Sequence, residues 1–119
     1  MTGIIDYGLG NLGSIQNMLR VLDEKSIISS EIDNLEKCDR YILPGVGAFD
    51  SGMSKLHESG LDNFIKYKVV EEKKPILGIC LGMQLLGRKS EEGGLPGLGL
   101  IPFDNIRFRL EDSNLRVPH

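Results

Sequence analysis

Cys80 stands between two small residues, in Gly78-Ile79-Cys80-Leu81-Gly82, and that spacing suits a nucleophile. Pro75 to Ile79 is a short apolar run that predicts a buried strand, and Leu81 onward predicts a helix. A side chain on so sharp a strand-to-helix turn projects from the sheet. It tolerates no bulky neighbour two residues away, and its own backbone is strained. The sulfur also falls at a helix N-terminus, where free N–H groups favour negative charge. This is the G-x-nucleophile-x-G elbow of covalent catalysis, with Cys in the serine position. The alternative is a small buried hydrophobe, the usual state of a free cysteine.

A second segment belongs to the same chemistry. The strand-like run Arg40-Tyr41-Ile42-Leu43 ends in Pro44-Gly45-Val46-Gly47-Ala48-Phe49-Asp50. A glycine-rich loop at a strand end can turn main-chain N–H groups toward a developing negative charge, as acyl transfer requires of an oxyanion hole. It can equally be an ordinary strand-to-helix turn, with Asp50 or Ser51 capping the next helix. The two readings are compatible.

A competing motif lies near the N-terminus. Gly8-Leu9-Gly10-Asn11-Leu12-Gly13 has the form G-x-G-x-x-G between a predicted strand and helix, with Glu31 and Asp33 about 20 residues on, as in a dinucleotide-binding half-domain. Against it, Asp6 would set a carboxylate, and Tyr7 a ring, against an incoming pyrophosphate. It also leaves the cysteine elbow and the Pro44–Gly47 loop unexplained.

These loops need a frame of alternating strands and helices. Gly3 to Asp6 predicts a first strand, followed by a helix with Leu12, Ile15, Met18, Leu19 and Leu22 on one face. Ser26 to Glu31 predicts a second strand and Arg40 to Leu43 a third. Helices are expected over 50–57 and 61–72, the latter with Leu61, Phe64, Ile65 and Val69 inward. The elbow strand and helix follow, then a polar loop, then a strand over 105–110 alternating Ile106 and Phe108 with Arg107 and Arg109. Such alternation predicts an α/β domain with a mainly parallel sheet, right-handed crossovers and helices on both faces. Ligands of such sheets bind at the carboxyl ends of the strands, where both the Cys80 and Pro44 turns fall.

Composition narrows the function further. The 119 residues, 40% hydrophobic, suit a single domain over 1–119, with no linker, repeat or low-complexity tract. A net charge of −3 and a pI near 5.4 supply no basic footprint, so no nucleic-acid partner is expected. Cys38 and Cys80 lack metal-ligand or disulfide spacing, and no metal or cofactor is expected. Cys38 is read as a packing residue. His57, among charged residues, is read as part of a solvated helix face. No signal-type segment is visible and no run approaches the roughly 18 apolar residues of a membrane span, so the expected compartment is the cytoplasm.

Taken together, Pro44-Gly45-Val46-Gly47-Ala48-Phe49, Gly78-Ile79-Cys80-Leu81-Gly82-Met83-Gln84-Leu85-Leu86, Ser90-Glu91-Glu92-Gly93 and Gly97-Leu98-Gly99-Leu100-Ile101-Pro102 closely resemble the class I, triad-type glutamine amidotransferases. Within them the likeness is to the glutaminase subunits of imidazole glycerol phosphate synthase. It extends to Ile4-Ile5-Asp6-Tyr7-Gly8-Leu9-Gly10-Asn11-Leu12 and to Val117-Pro118-His119, and so runs from one terminus to the other. The resemblance implies a flavodoxin-like fold, here its N-terminal part, and hydrolysis of L-glutamine through a thioester on Cys80. The oxyanion would be held by the N–H of Leu81 and of Val46 or Gly47, with Gln84, Gly47 and Glu92 around the glutamine. Ammonia would pass to a (β/α)₈-barrel cyclase in a heterodimer, with Tyr7, Gly10, Asn11 and His119 near that partner.

One departure accompanies the likeness. Family members continue to a Phe-His-Pro-Glu segment that supplies the catalytic histidine and its orienting glutamate, and the 119 residues stop short of it. The domain is therefore expected to be incomplete at its C-terminus and inactive alone. His119 resembles a loop histidine of the family, which is not the base. Relatives that amidate sugars of surface polysaccharides carry similar motifs, and a noncatalytic remnant is a further alternative.

Overall fold

The computed structural model describes residues 1–90, 93–101 and the backbone of 104–105. Four strands, β1 (Thr2–Ile5), β2 (Ser26–Ser29), β3 (Arg40–Leu43) and β4 (Ile76–Gly78), pair in parallel in the order β2-β1-β3-β4. Chain direction across the sheet reverses between β1 and β3. That is the flavodoxin-like order, and it leaves a crevice at the carboxyl ends of those two strands. Helices α1 (Leu12–Val21), α2 (Ile32–Leu35), α3 (Phe49–Glu58), α4 (Leu61–Lys66) and α5 (Leu81–Leu85) connect the strands.

Parallel pairing sets Ile4 beside Ile42 and Ile42 beside Leu77, so these three side chains share one face. Ile5, Tyr41 and Leu43 point to the other, where the main core forms with Leu35, Leu56, Leu61, Ile65 and Leu85. On the first face Leu19 of α1 and Leu22, just past its end, border an apolar groove of about 340 Å³ whose floor includes Ile42 and Leu77. Leu77 is 58% exposed there. The expected inward face of α1 is correspondingly only half covered, with Met18 64% and Leu22 69% exposed. The helical period is present, but among the described residues the groove side of the sheet carries too few elements to cover that stripe.

The expected helix over 61–72 is an α-helix only to Lys66, after which Tyr67–Glu71 form a wider π-helical turn. The change of pitch leaves Tyr67 and Val70 outside and turns Lys68 inward. The side chain of Lys68 is 4% exposed, and its ammonium lies 2.7 Å from Glu36 and 2.6 Å from Glu72. Burial alone would lower its pKa, but the two carboxylates outweigh that and raise it, so the ammonium stays charged. Neither α2 nor the short pairing of β5 (Lys89–Ser90) with β6 (Asp104–Asn105) was expected. The strand predicted over 105–110 lies outside the described residues beyond Asn105.

The two faces should respond differently to mutation. Leu56→Ala, in the closed core, is expected to cost about 2–5 kcal/mol. Leu77→Thr, on the open face, should stay within about 0.5 kcal/mol. Denaturant unfolding of the two variants checks the asymmetry.

Candidate active site

Cys80 is exposed and follows the end of β4 after one residue, Ile79. Its backbone, at φ 53° and ψ −119°, lies where L-residues rarely sit. The next residue begins α5. The elbow expected from the two flanking glycines is therefore present, and each glycine has a separate steric reason. A Cβ at Gly78 would lie 2.6 Å from the Cα of Met83, and one at Gly82 would lie 1.7 Å from the carbonyl oxygen of Leu43. Both obstacles are backbone, so neither can yield. The Ile79 N–H donates to that Leu43 carbonyl at 3.0 Å, and the Gly82 N–H to Ile79 at 2.9 Å, which pins the elbow to the end of β3.

The Pro44–Ala48 loop faces the elbow from β3. Leu81 N–H, an expected oxyanion donor, donates to the Gly45 carbonyl at 3.1 Å. The Gly45–Val46 peptide thus presents its oxygen, rather than the Val46 N–H, toward Leu81. Gly45 has φ +151° and Gly47 +115°. At Gly47 a Cβ would meet nothing within 4 Å, so that glycine borders open space. Val46 and Gly47 are exposed and Gln84, on α5, is half-buried. Glu92 lies outside the described residues.

Tyr7 is buried, and its hydroxyl donates a short hydrogen bond to the Pro44 carbonyl. A Cβ on Gly45 would fall 1.9 Å from that hydroxyl oxygen. Gly10 packs on the same loop, its would-be Cβ 3.2 Å from the Gly45 nitrogen. Of the residues expected near a partner, Tyr7 is therefore interior, Gly10 and Asn11 are exposed, and His119 lies outside the described residues. Asn11 caps α1, its Oδ1 accepting from Ser14 N–H at 3.3 Å.

This arrangement speaks against a dinucleotide site. The third glycine of such a fingerprint exists for close helix–strand packing, yet a Cβ on Gly13 would meet nothing within 4 Å. The Gly8 N–H is already engaged by the Asp6 carboxylate at 3.1 Å. The turn serves to pack against Pro44 and Gly45.

Neither cysteine is in a disulfide. Cys38 is 1% exposed beneath Gly3, and burial raises its thiol pKa, as a packing residue requires. His57 sits near the far end of α3, about 12 Å along the axis from its start. Its Nδ1 is 2.8 Å from the buried carboxylate of Asp62. This contact lies at the far end of α3 from the glycine loop. Sequence reasoning missed the carboxylate of Asp50, which receives two main-chain N–H groups from Gly94 and Leu95. Its only sequence signal was its place just after the glycine loop. Among the described residues no helix is long and apolar enough to cross a membrane.

Comparison with known proteins gives a consistent result. Residues 7–109 match the CobB/CobQ-like glutamine amidotransferase domain family. The imidazole glycerol phosphate synthase subunit HisH 2 of Methanococcus maripaludis is 50% identical over 119 residues, covering all of this chain and 58% of its own length. The HisH 2 subunit of Pseudomonas aeruginosa is 46% identical, again over all of this chain and 58% of its own length. The HisH subunit of Halalkalibacterium halodurans is 50% identical, over all of this chain and 57% of its own length. The chain thus spans less than three fifths of these relatives. A crystal structure of a glutamine amidotransferase superposes with a TM-score of 0.72 over 89% of this chain and 56% of its own, at 22% identity, a likeness of fold.

The elbow predicts a sharp contrast between two glycines. Gly82→Ala drives a methyl into the Leu43 carbonyl and should cost about 3 kcal/mol or more. Gly13→Ala, in open space within α1, should stabilise by up to about 1 kcal/mol. Thermal unfolding of both variants reads the difference.

Proposed function

We infer the function from a premise the comparisons supply: the chain belongs to the CobB/CobQ-like glutamine amidotransferase domain family. On that premise its chemistry is hydrolysis of L-glutamine at Cys80. The observation that carries the reading is the backbone of Cys80, an exposed thiol in a left-handed conformation between two glycines that have no room for a side chain. Strain of this kind in a surface nucleophile fits catalysis and has no use in packing.

The sulfur adds to the side-chain amide carbon of glutamine, and the carbonyl electrons move onto oxygen. As that adduct collapses, its nitrogen takes up the proton given up by the thiol and departs as ammonia, leaving a γ-glutamyl thioester. Water then cleaves the thioester, releasing glutamate and restoring the thiol. The oxyanion needs two N–H donors, and Leu81 supplies one only when freed from the Gly45 carbonyl. Turning the Gly45–Val46 peptide frees it and brings the Val46 N–H round to the same side. Glycines at 45 and 47 give that peptide the freedom to turn. Each donor is worth about 3 kcal/mol of barrier, so a closed hole keeps the thiol idle until glutamine and partner are in place. Gln84 and Glu92 are assigned to the glutamine.

The base is assigned to a Phe-His-Pro-Glu segment beyond these 119 residues, because His57 is engaged by the Asp62 carboxylate near the far end of α3. The relatives are named as subunits of imidazole glycerol phosphate synthase. We therefore assign the ammonia to a (β/α)₈-barrel cyclase that makes imidazole glycerol phosphate and an aminoimidazole carboxamide ribotide in histidine biosynthesis, in the cytoplasm.

Three measurements test this. A glutamine-analogue electrophile should label Cys80 far faster than Cys38 by peptide mapping; equal labelling sinks the elbow reading. The 119-residue chain should hydrolyse glutamine at least 10²–10⁴-fold more slowly than a relative with its histidine base. In the protein from the full reading frame, glutaminase turnover should vanish in Cys80→Ala and rise when a ligand-bound cyclase is added. A glutaminase fully active alone would contradict the partnership.

A further inference from the structure

Asp50 is the second residue of α3, just beyond the glycine loop, where an acidic side chain ordinarily caps its own helix. Here Ala48 occupies the cap position without a side-chain bond, and the Asp50 carboxylate reaches 44 and 45 residues along the chain. Its Oδ2 accepts from the Gly94 N–H at 2.9 Å and its Oδ1 from the Leu95 N–H at 3.0 Å. These two bonds, Gly94 first, hold the carboxyl pKa below its ordinary value, so the acceptor is charged. Gly93 lets the turn come this close: a Cβ there would lie 2.3 Å from Asp50 Oδ1 and 3.2 Å from the Phe49 ring.

The segment that Asp50 grips continues to the far end of the elbow helix. Gly97 N–H donates to Arg88 at 2.7 Å, Leu98 N–H to Leu85 at 2.8 Å, Gly99 N–H to Gly87 at 2.9 Å and Leu100 N–H to Leu86 at 3.0 Å. Residues 93–101 are therefore a strap with one end on the helix that leaves the glycine loop and the other on the helix that leaves Cys80. The second end is held by these four main-chain bonds and a fifth, from Ile101 N–H to the Leu86 carbonyl at 3.0 Å; among the described residues the first is held by the Asp50 carboxylate and by the Gly93 N–H, which donates to the Ser90 carbonyl at 3.3 Å. Asp50 touches no reacting atom on this account. Its effect would act through the strap, on the relative placement of the two loops between which glutamine lies.

We propose that Asp50 is a positioning residue that holds the strap in its glutamine-competent place and so sets the affinity for glutamine. The proposal rests on the glutaminase reading above. With the carboxylate removed, only a fraction of molecules hold the strap in place, and apparent affinity falls by that fraction while the reactivity of the bound complex is kept.

The test is alkylation of Cys80 by a diazoketone analogue of glutamine, in the protein from its full reading frame. The inhibition constant and the limiting rate are read separately, with iodoacetamide as a probe of the bare thiol. In Asp50→Ala the inhibition constant should rise about tenfold, while the limiting rate and the iodoacetamide rate stay within about twofold. Asp50→Asn, which keeps one acceptor without the charge, should fall between, and it carries the test if Asp50→Ala does not fold. An unchanged inhibition constant in a folded variant overturns the positioning role alone. So does a parallel loss of affinity, limiting rate and iodoacetamide rate that tracks the melting temperature, which would mark a merely structural residue. Unsaturable labelling of the unmutated protein overturns the glutaminase reading and the positioning role with it.

Discussion

Contact between the first turn of α5 and the last carbonyl of β3 governs the geometry around Cys80. With hydrogen in place of a side chain at Gly82, the helix rides directly on the Leu43 carbonyl. That approach leaves the chain no room for a gradual turn between β4 and α5, so the reversal falls on Cys80 alone, at a φ that β4 and α5 together impose. The thiol is exposed because the turn is tight, and the turn is tight because Gly78 and Gly82 admit backbone where other residues would put a methyl. Position, exposure and strain of the nucleophile thus share one steric cause.

The Pro44–Ala48 loop is the second centre of the structure, because it is touched from every side that bears on the elbow. Tyr7 and Gly10 press on it from the β1 turn, Leu81 binds the Gly45 carbonyl, and α3, which carries Asp50 in its first turn, begins directly beyond it. The burial of Tyr7 gives the N-terminal glycine turn a role inside the chain. A motif that in isolation suits a pyrophosphate is here a packing surface, since its second glycine meets a neighbouring loop and its third meets nothing.

Much of this was legible in the residues. β3 coincides with the predicted Arg40–Leu43, and the elbow could be placed to the residue because glycine spacing around a nucleophile reflects a local steric rule that leaves its mark on the sequence. Three things were hidden. The π-helical turn at Tyr67–Glu71 accompanies the burial of Lys68 against Glu36, a partner 32 residues away that periodicity does not see. The exposure of Met18 and Leu22 reflects that no described element covers that face, and an amphipathic pattern states only that a face is apolar. The grip of Asp50 on Gly94 and Leu95 uses main-chain donors, which every residue but proline has, so no residue type announces it. Acidic residues near helix starts point by habit to capping, and here the habit misleads.

The buried phenol of Tyr7 limits the protein at the alkaline end of the pH scale. Burial raises its pKa, and it pushes that of Tyr41, whose hydroxyl donates to the Leu35 carbonyl at 2.8 Å, up to about 12. In the unfolded chain such phenols ionise near pH 10. Their contribution to the fold is therefore whole below pH 10 and is lost as the pH climbs toward the folded values. Because the Tyr7 hydroxyl is bonded to the Pro44 carbonyl, its ionisation would remove the donor that seats the glycine loop. The loop beside the nucleophile and the sheet beneath it would then come apart over the same alkaline interval.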